Sequence, residues 1–122
     1  MQDLVGIVRK EDEMQRALEG LQKLNARAAK VQVVGNREYN PGWHTALDLH
    51  NLLTISEAIT RCSIMRKESR GGHFREDYQD KIPKWAGVNL VTRKGPDGQM
   101  QVEEVPIPPM PAELKQIIEE MK

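Results

Sequence analysis

The stretch from Asn40 to Glu68 constrains the fold more than any other part of the chain. It carries one uninterrupted helical pattern, with Trp43, Ala46, Leu47, Leu49, Leu53, Ala58, Ile59, Cys62 and Met65 as apolar positions. Leu52, Ile55 and Ile64 widen that surface well beyond a stripe. A helix apolar around so much of its circumference has to be covered on more than one side. Its start is well signalled. Asn40 is a good N-cap, and Pro41 suits the first helical position because its missing N–H has no intrahelical partner there. The pattern predicts a helix running toward Glu68. Arg70-Gly71-Gly72 is expected to end it, since glycine adopts the backbone angles of a C-terminal cap.

Little else in the chain is able to cover that helix. Glu11, Asp12 and Glu13 suit the positive end of a helix over residues 11–29, and Met14, Ala17, Leu18, Leu21, Leu24 and Ala28 recur on one face of it. Gly20 costs that helix about 1 kcal/mol relative to Ala. Arg16, Lys23, Arg27 and Lys30 read as its solvated side. Val31 to Asn40 is a connector, partly extended, with a turn at Gly35-Asn36. Val88–Thr92 and Met100–Val105 read as two short strands joined at Gly95-Pro96-Asp97-Gly98. Four prolines between 106 and 111 make an extended linker, and Leu114, Ile117, Ile118 and Met121 give a short amphipathic helix over Glu113–Met121. The expected fold is therefore mainly α: an up-down, three-helix-like (spectrin-repeat-like) bundle with a small β-hairpin and a C-terminal tail helix. Two units are expected, a bundle with its following loop over 1–85 and a hairpin, linker and tail over 86–122. With so little to cover the long helix, a partner surface is expected as well.

Composition excludes several classes of function. Lys plus Arg and Asp plus Glu each number 18, so the net charge is zero, which gives no electrostatic case for nucleic acid or an anionic membrane. No apolar run approaches the ~18 residues of a membrane span, and the first residues lack the basic-then-apolar pattern of a secretory signal. The single cysteine, Cys62, precludes an internal disulfide and fits a reducing compartment. It is expected to be a buried, inert thiol, and Trp43 a core plug. His44 and His50 lie six apart, not at the i, i+4 spacing of a helical metal site, so no metal set is expected from them with His73. There is no Gly-x-Gly-x-x-Gly turn for a dinucleotide.

The segment after the long helix reads Arg66-Lys67-Glu68-Ser69-Arg70-Gly71-Gly72-His73-Phe74-Arg75-Glu76-Asp77-Tyr78. It resembles the Arg-x-Glu-Ser-Arg-Gly-x-His-x-Arg-x-Asp segment of the succinate dehydrogenase and fumarate reductase flavoprotein family. Val5-Gly6-Ile7-Val8-Arg9 before an acidic helix start is similar to the family's opening of its C-terminal helical domain. Tyr39-Asn40-Pro41-Gly42-Trp43-His44 resembles one bacterial branch. The resemblance covers about residues 1 to 85. Gln79 stands where the family usually has proline, and Ile82 where an acidic residue usually precedes the Trp, here Trp85.

The resemblance implies a parent oxidoreductase that interconverts succinate and fumarate through FAD and passes electrons to an iron–sulfur subunit and a quinone. It implies a cytoplasmic location, peripheral at the inner face of the cell membrane. The flavin, substrate and proton-shuttling residues of the family lie upstream, so no catalytic, cofactor-binding or metal residue is expected here. Arg66, Glu68, Ser69, Arg70, Gly71, His73, Arg75, Asp77 and Trp85 are expected instead to form a docking motif toward the FAD and capping domains and the iron–sulfur subunit. Arg70 and Arg75 are planar forks suited to carboxylates or carbonyls, with Glu68 and Asp77 as local counter-charges. The residues alone also allow a solvated loop with local ion pairs, in which His73 is a hydrogen-bonded loop histidine rather than an acid–base group. L-Aspartate oxidase and adenylylsulfate reductase have related helical tails and remain alternatives. A free-standing helical adaptor for another protein, starting at Met1, is the alternative from a different class.

Overall fold

A computed structural model describes residues 1–121. Helix α1 spans Glu11–Ala28 and helix α2 spans Pro41–Met65. They pack antiparallel, as two core clusters show. Near one end Leu21 and Ala28 of α1 meet Leu53 of α2, with Leu49 alongside. At the other, Met14 and Ala17 meet Val5, Leu4 and Ile64. The α1 stripe falls where the spacing predicts, except that Leu24 is exposed.

The start of α2 follows its sequence signals. Asn40 Oδ1 accepts from the Gly42 amide at 3.0 Å, and Asn40 Nδ2 donates to the Val34 carbonyl at 3.0 Å, so one side chain both caps the helix and holds the connector. Its end does not. The helix stops at Met65, with Arg66 in an extended conformation (ψ 92°). The expected run to Glu68 and the Gly-Gly cap are thus corrected. Glu68 is drawn out of the helix by partners of its own, described below. Gly71 (φ 58°) and Gly72 instead turn a tight loop in which Arg70 and His73 exchange backbone hydrogen bonds.

This loop returns the chain to its own beginning. Strand β1 (Val8–Arg9) pairs in parallel with β2 (Phe74–Arg75), Val8 opposite Phe74 and Arg9 opposite Arg75. One helical turn, α3 (Pro83–Ala86), carries the buried Trp85. The hairpin of β3 (Val88–Lys94) and β4 (Met100–Pro106) is antiparallel, with Lys94 opposite Met100 at the turn end. Met100 and Val102 look onto Leu18, Ile64 and Met65 across a shallow cleft. The tail helix α4 (Ala112–Glu120) leaves Leu114, Ile117 and Ile118 about half exposed. The expected mainly helical bundle with hairpin and tail helix is what the chain forms, with α1 and α2 as its packed pair.

Two expectations fail at single residues. Trp43 is not a core plug: it is 36 % exposed, with the Arg37 guanidinium over its ring. The surface there has no layer to receive it. Cys62 is only half-buried, although burial still raises its thiol pKa. Leu47, Leu52, Ile55 and Ile59 are exposed along α2. The last three, with Cys62, follow at intervals of three and four residues and so make one strip.

Candidate docking site

Two buried charges organise the loop after α2. Glu68 has no exposed surface and accepts four hydrogen bonds. Arg70 approaches it as a fork, Nε to Oε1 at 2.9 Å and Nη2 to Oε2 at 3.0 Å. Arg66 Nη1 reaches Oε1 at 2.8 Å, and the Ile82 amide reaches Oε2 at 2.9 Å. The Arg70 hydrogen bonds are the largest influence on the carboxyl and outweigh burial, which opposes them; with Ile82 and Arg66 they bring its pKa down to about 2. Arg70 and Arg66 also donate to the carbonyls of Ile82 and Trp85. The Ile82 contacts in this network are made through its backbone.

Arg75 is the second buried charge, again with no exposed surface. Its Nε and Nη2 fork onto Asp77 at 2.7 and 2.6 Å. Nη2 also meets Glu11 Oε2 at 2.6 Å, while Nη1 donates to the carbonyls of Ser63 and Ile64 at 2.8 and 3.3 Å. A guanidinium has five N–H donors, and five acceptors surround this one. The Asp77 hydrogen bonds hold the guanidinium charged against the cost of burial, and Arg75 in turn lowers the Asp77 pKa. Asp77 Oδ2 also accepts from the Glu11 amide at 3.2 Å. Lys10, at the N-cap of α1, makes no side-chain cap of its own, so Asp77 supplies that service from 66 residues away.

Ser69 ties the loop's backbone together. Its Oγ accepts from the Arg75 amide at 2.8 Å and donates to the Tyr78 carbonyl at 2.9 Å. His73 bridges the loop to β1. Arg9 Nη1 can only donate, so His73 Nδ1 accepts it at 2.6 Å, and the hydrogen on Nε2 goes to the Arg66 carbonyl at 2.9 Å. Burial foremost, then Arg9, Arg75 and Arg66, lowers the His73 pKa below its ordinary value. Trp85 lies under the cations of Arg66 and Lys84, at 5.2 and 4.7 Å from the ring centre.

The structure thus gathers all nine motif residues around one loop. Arg75, Glu68, Ser69 and Trp85 are buried in it, and Gly71, Gly72 and Phe74 form its exposed rim. Glu11, Arg9 and Ser63 belong to the same network but escape a reading by apolar period. Ser63 and Thr60 sit on the buried face of α2, where the period asks for apolar residues. Among the described residues no three His, Cys, Asp or Glu side chains converge as a metal set would, and no helix is long and apolar enough to cross a membrane.

Fold and site together define a helical domain with an appended hairpin, its connecting loop fixed by buried ion pairs. The chain belongs to the family described as fumarate reductase flavoprotein C-term, whose profile matches residues 1–118. It is 38% identical over 82 residues to the succinate dehydrogenase flavoprotein subunit of Coxiella burnetii, a match covering 66% of this chain and 14% of that protein. With the L-aspartate oxidase of Vibrio cholerae it shares 33% identity over 97 residues, 77% of this chain and 17% of the other. The Mycobacterium smegmatis Sdh1 structure in complex with UQ1 superimposes with a TM-score of 0.81 at 44% identity, over 98% of this chain and 20% of that one. The chain therefore spans about a fifth or less of the length of the relatives it matches.

Proposed function

We propose that this chain is the non-catalytic C-terminal domain of a flavoprotein oxidoreductase of the succinate dehydrogenase and fumarate reductase kind, and that it braces the flavin domain and shapes the contact with partner subunits. The observation that carries this is the bare apolar strip Leu52, Ile55, Ile59 on a domain that matches only a fifth of a related flavoprotein chain. Such a strip belongs against protein, and four-fifths of that related chain is available to supply it.

Gly71-Gly72 turns a loop between α2 and the short β2, not a strand-to-helix phosphate turn, and both sheets have two strands. FAD is thus assigned to the rest of the parent chain. There it would take a hydride from succinate, or give one to fumarate, with electrons passing to an iron–sulfur subunit and a quinone. The UQ1-bound Sdh1 structure supports the quinone; a place at the inner face of the cell membrane belongs to the same proposal. In this scheme residues 1–85 are the bracing unit and 86–122 an appended one. Arg66, Glu68, Ser69, Arg70, Gly71, His73, Arg75, Asp77 and Trp85 serve docking in two ways: the buried members set the loop's shape, and the rim with Arg70 makes the contact. The superposition on Sdh1 at 44% identity over 98% of this chain supports the succinate branch.

The test is the intact mass and visible spectrum of the native protein that contains this sequence. A yellow chain about five times this length is expected, turning over succinate or fumarate. Turnover of L-aspartate alone would move it to the other branch. A colourless native chain of 122 residues would overturn the proposal in favour of an independent adaptor.

A further inference from the structure

Four arginines meet around the loop, Arg9, Arg66, Arg70 and Arg75, but only three carboxylates, Glu11, Glu68 and Asp77, answer them. Arg9 is the one left over. It is half-buried, and every partner it has is neutral: the Gly6 carbonyl at 2.6 Å, Ser63 Oγ at 3.1 Å and His73 Nδ1 at 2.6 Å. Its Nη2 makes no hydrogen bond among the described residues, and neither does Nη2 of Arg66. Both arginines line one open cleft of 470 Å³, with Ser63, His73 and Asn89 as its polar wall and Ile59, Cys62 and Leu90 as its apolar wall. Among the described residues no acidic side chain lines it.

We propose that this cleft, between β1, the end of α2 and the start of β3, is a carboxylate-binding site in which Arg9 is the principal cation and Arg66 the second. A half-buried guanidinium without a counter-charge is costly, and an incoming carboxylate removes that cost. The apolar wall lowers the local dielectric and strengthens the pairing. Burial, and then Arg75, already lower the Arg9 pKa, as expected for a cation short of a partner. Arg9 is also pre-aimed. Its other nitrogens are fixed to Gly6, Ser63 and His73, so little side-chain freedom remains to be lost on binding.

His73 reports on the site. The charges that act on it are Arg9, Arg66 and Arg75, all of which disfavour imidazolium. A carboxylate beside Arg9 offsets them, so binding raises the His73 titration midpoint. The experiment follows the His73 ring by NMR in the 122-residue chain, in sodium acetate and in sodium chloride of equal ionic strength. Acetate is expected to raise the midpoint by about half a pH unit or more; equal midpoints in the two salts would overturn the proposal. The acetate response should vanish in Arg9→Gln, and its survival there is equally fatal. If Arg9→Gln does not fold, Asn89→Asp decides, since it alters an exposed residue of the wall. It should raise the midpoint without acetate and leave acetate little further effect; an unchanged acetate response would overturn the site.

The natural source of the carboxylate rests on the proposed function, whereas the titration does not. In the longer flavoprotein, protection of Cys62 from a maleimide together with loss of the acetate response identifies an acidic side chain of the covering polypeptide. A reactive Cys62 with the response retained identifies a free carboxylate. Either result supports the site. Failure to find a longer protein removes the function reading and leaves the titration standing.

Discussion

Glu68 and Arg75 are each fully buried ions, and their energetics follow from what surrounds them. Removing one member of such a pair costs about 3–5 kcal/mol, because the remaining charge stays buried without a partner. Glu68→Ala should therefore destabilise the chain by about that amount in urea unfolding. Arg75→Lys should also be severe, although it conserves charge, because an ammonium has three donors and no fork to share between Asp77, Glu11 and two carbonyls. A loss below about 1 kcal/mol for Arg75→Lys would mean that the fork geometry is unimportant. Acid should act through the same residues. The Glu68 carboxyl is depressed from 4.5 to about 2, so its contribution is complete above pH 4.5 and is lost as pH falls toward 2. By linkage that amounts to about 3 kcal/mol, with Asp77 acting in the same direction. Unfolding midpoints measured between pH 6 and 2.5 should fall steeply in the parent chain and more gently in Glu68→Gln. At this scale the motif's residue types were legible in the sequence, including the Glu68 and Asp77 counter-charges. The burial of Arg75 was not, because it depends on Glu11, 64 positions away, and on the carbonyls of a helix end that periodicity extends too far.

Helix α1 contains its own test of propensity. Gly20 lies in the helix interior, and a Cβ placed there would meet nothing within 4 Å. Gly20→Ala should stabilise the chain by about 0.5–1 kcal/mol, through lost unfolded-state freedom and no new contact. A destabilisation would show that the close approach of a neighbour is needed there. Asn40→Ala should do the reverse at α2, costing about 1 kcal/mol for the cap, with some further loss from the Val34 carbonyl it also holds. Elements with local causes were the legible ones: α1 from its stripe, the α2 start from Asn40-Pro41, the hairpin from its Gly-Pro-Asp-Gly turn. The pairing of β1 with β2 was not legible, since two residues at each end of a 66-residue separation leave no pattern to read. The same pairing accounts for Ser63 in place of an apolar residue on the buried side of α2. Ser63 Oγ accepts from Arg9 and its carbonyl accepts from Arg75, while Thr60 donates to the Ser56 carbonyl at 2.7 Å and lies beside Met1. That part of the core is an ionic seam, not an oily one.

The molecule as a whole has two small apolar clusters, with this seam beside the one that holds Met14 and Ile64, and much of the apolar surface of α2 remains outside both. The breadth of that surface was legible in the sequence; the direction it faces was not, because only packing decides which part of a broad face is used. Leu52, Ile55 and Ile59 lie beside the buried face, and the strip they begin leads through Cys62 into the cleft that holds Arg9. A covering polypeptide would then meet apolar and cationic surface in one continuous track. Without that cover the strip should find another: the 122-residue chain should self-associate, with a sedimentation coefficient that rises with concentration. Leu52→Lys combined with Ile55→Lys should hold it monomeric at little cost in stability, because both side chains are already more than half exposed. In a longer flavoprotein the same pair should weaken attachment of this domain, seen as a lower unfolding temperature and faster proteolysis near its junction. A chain that stays monomeric at all concentrations and binds no hydrophobic dye would show that the strip tolerates water, and the bracing role would lose the observation on which it stands.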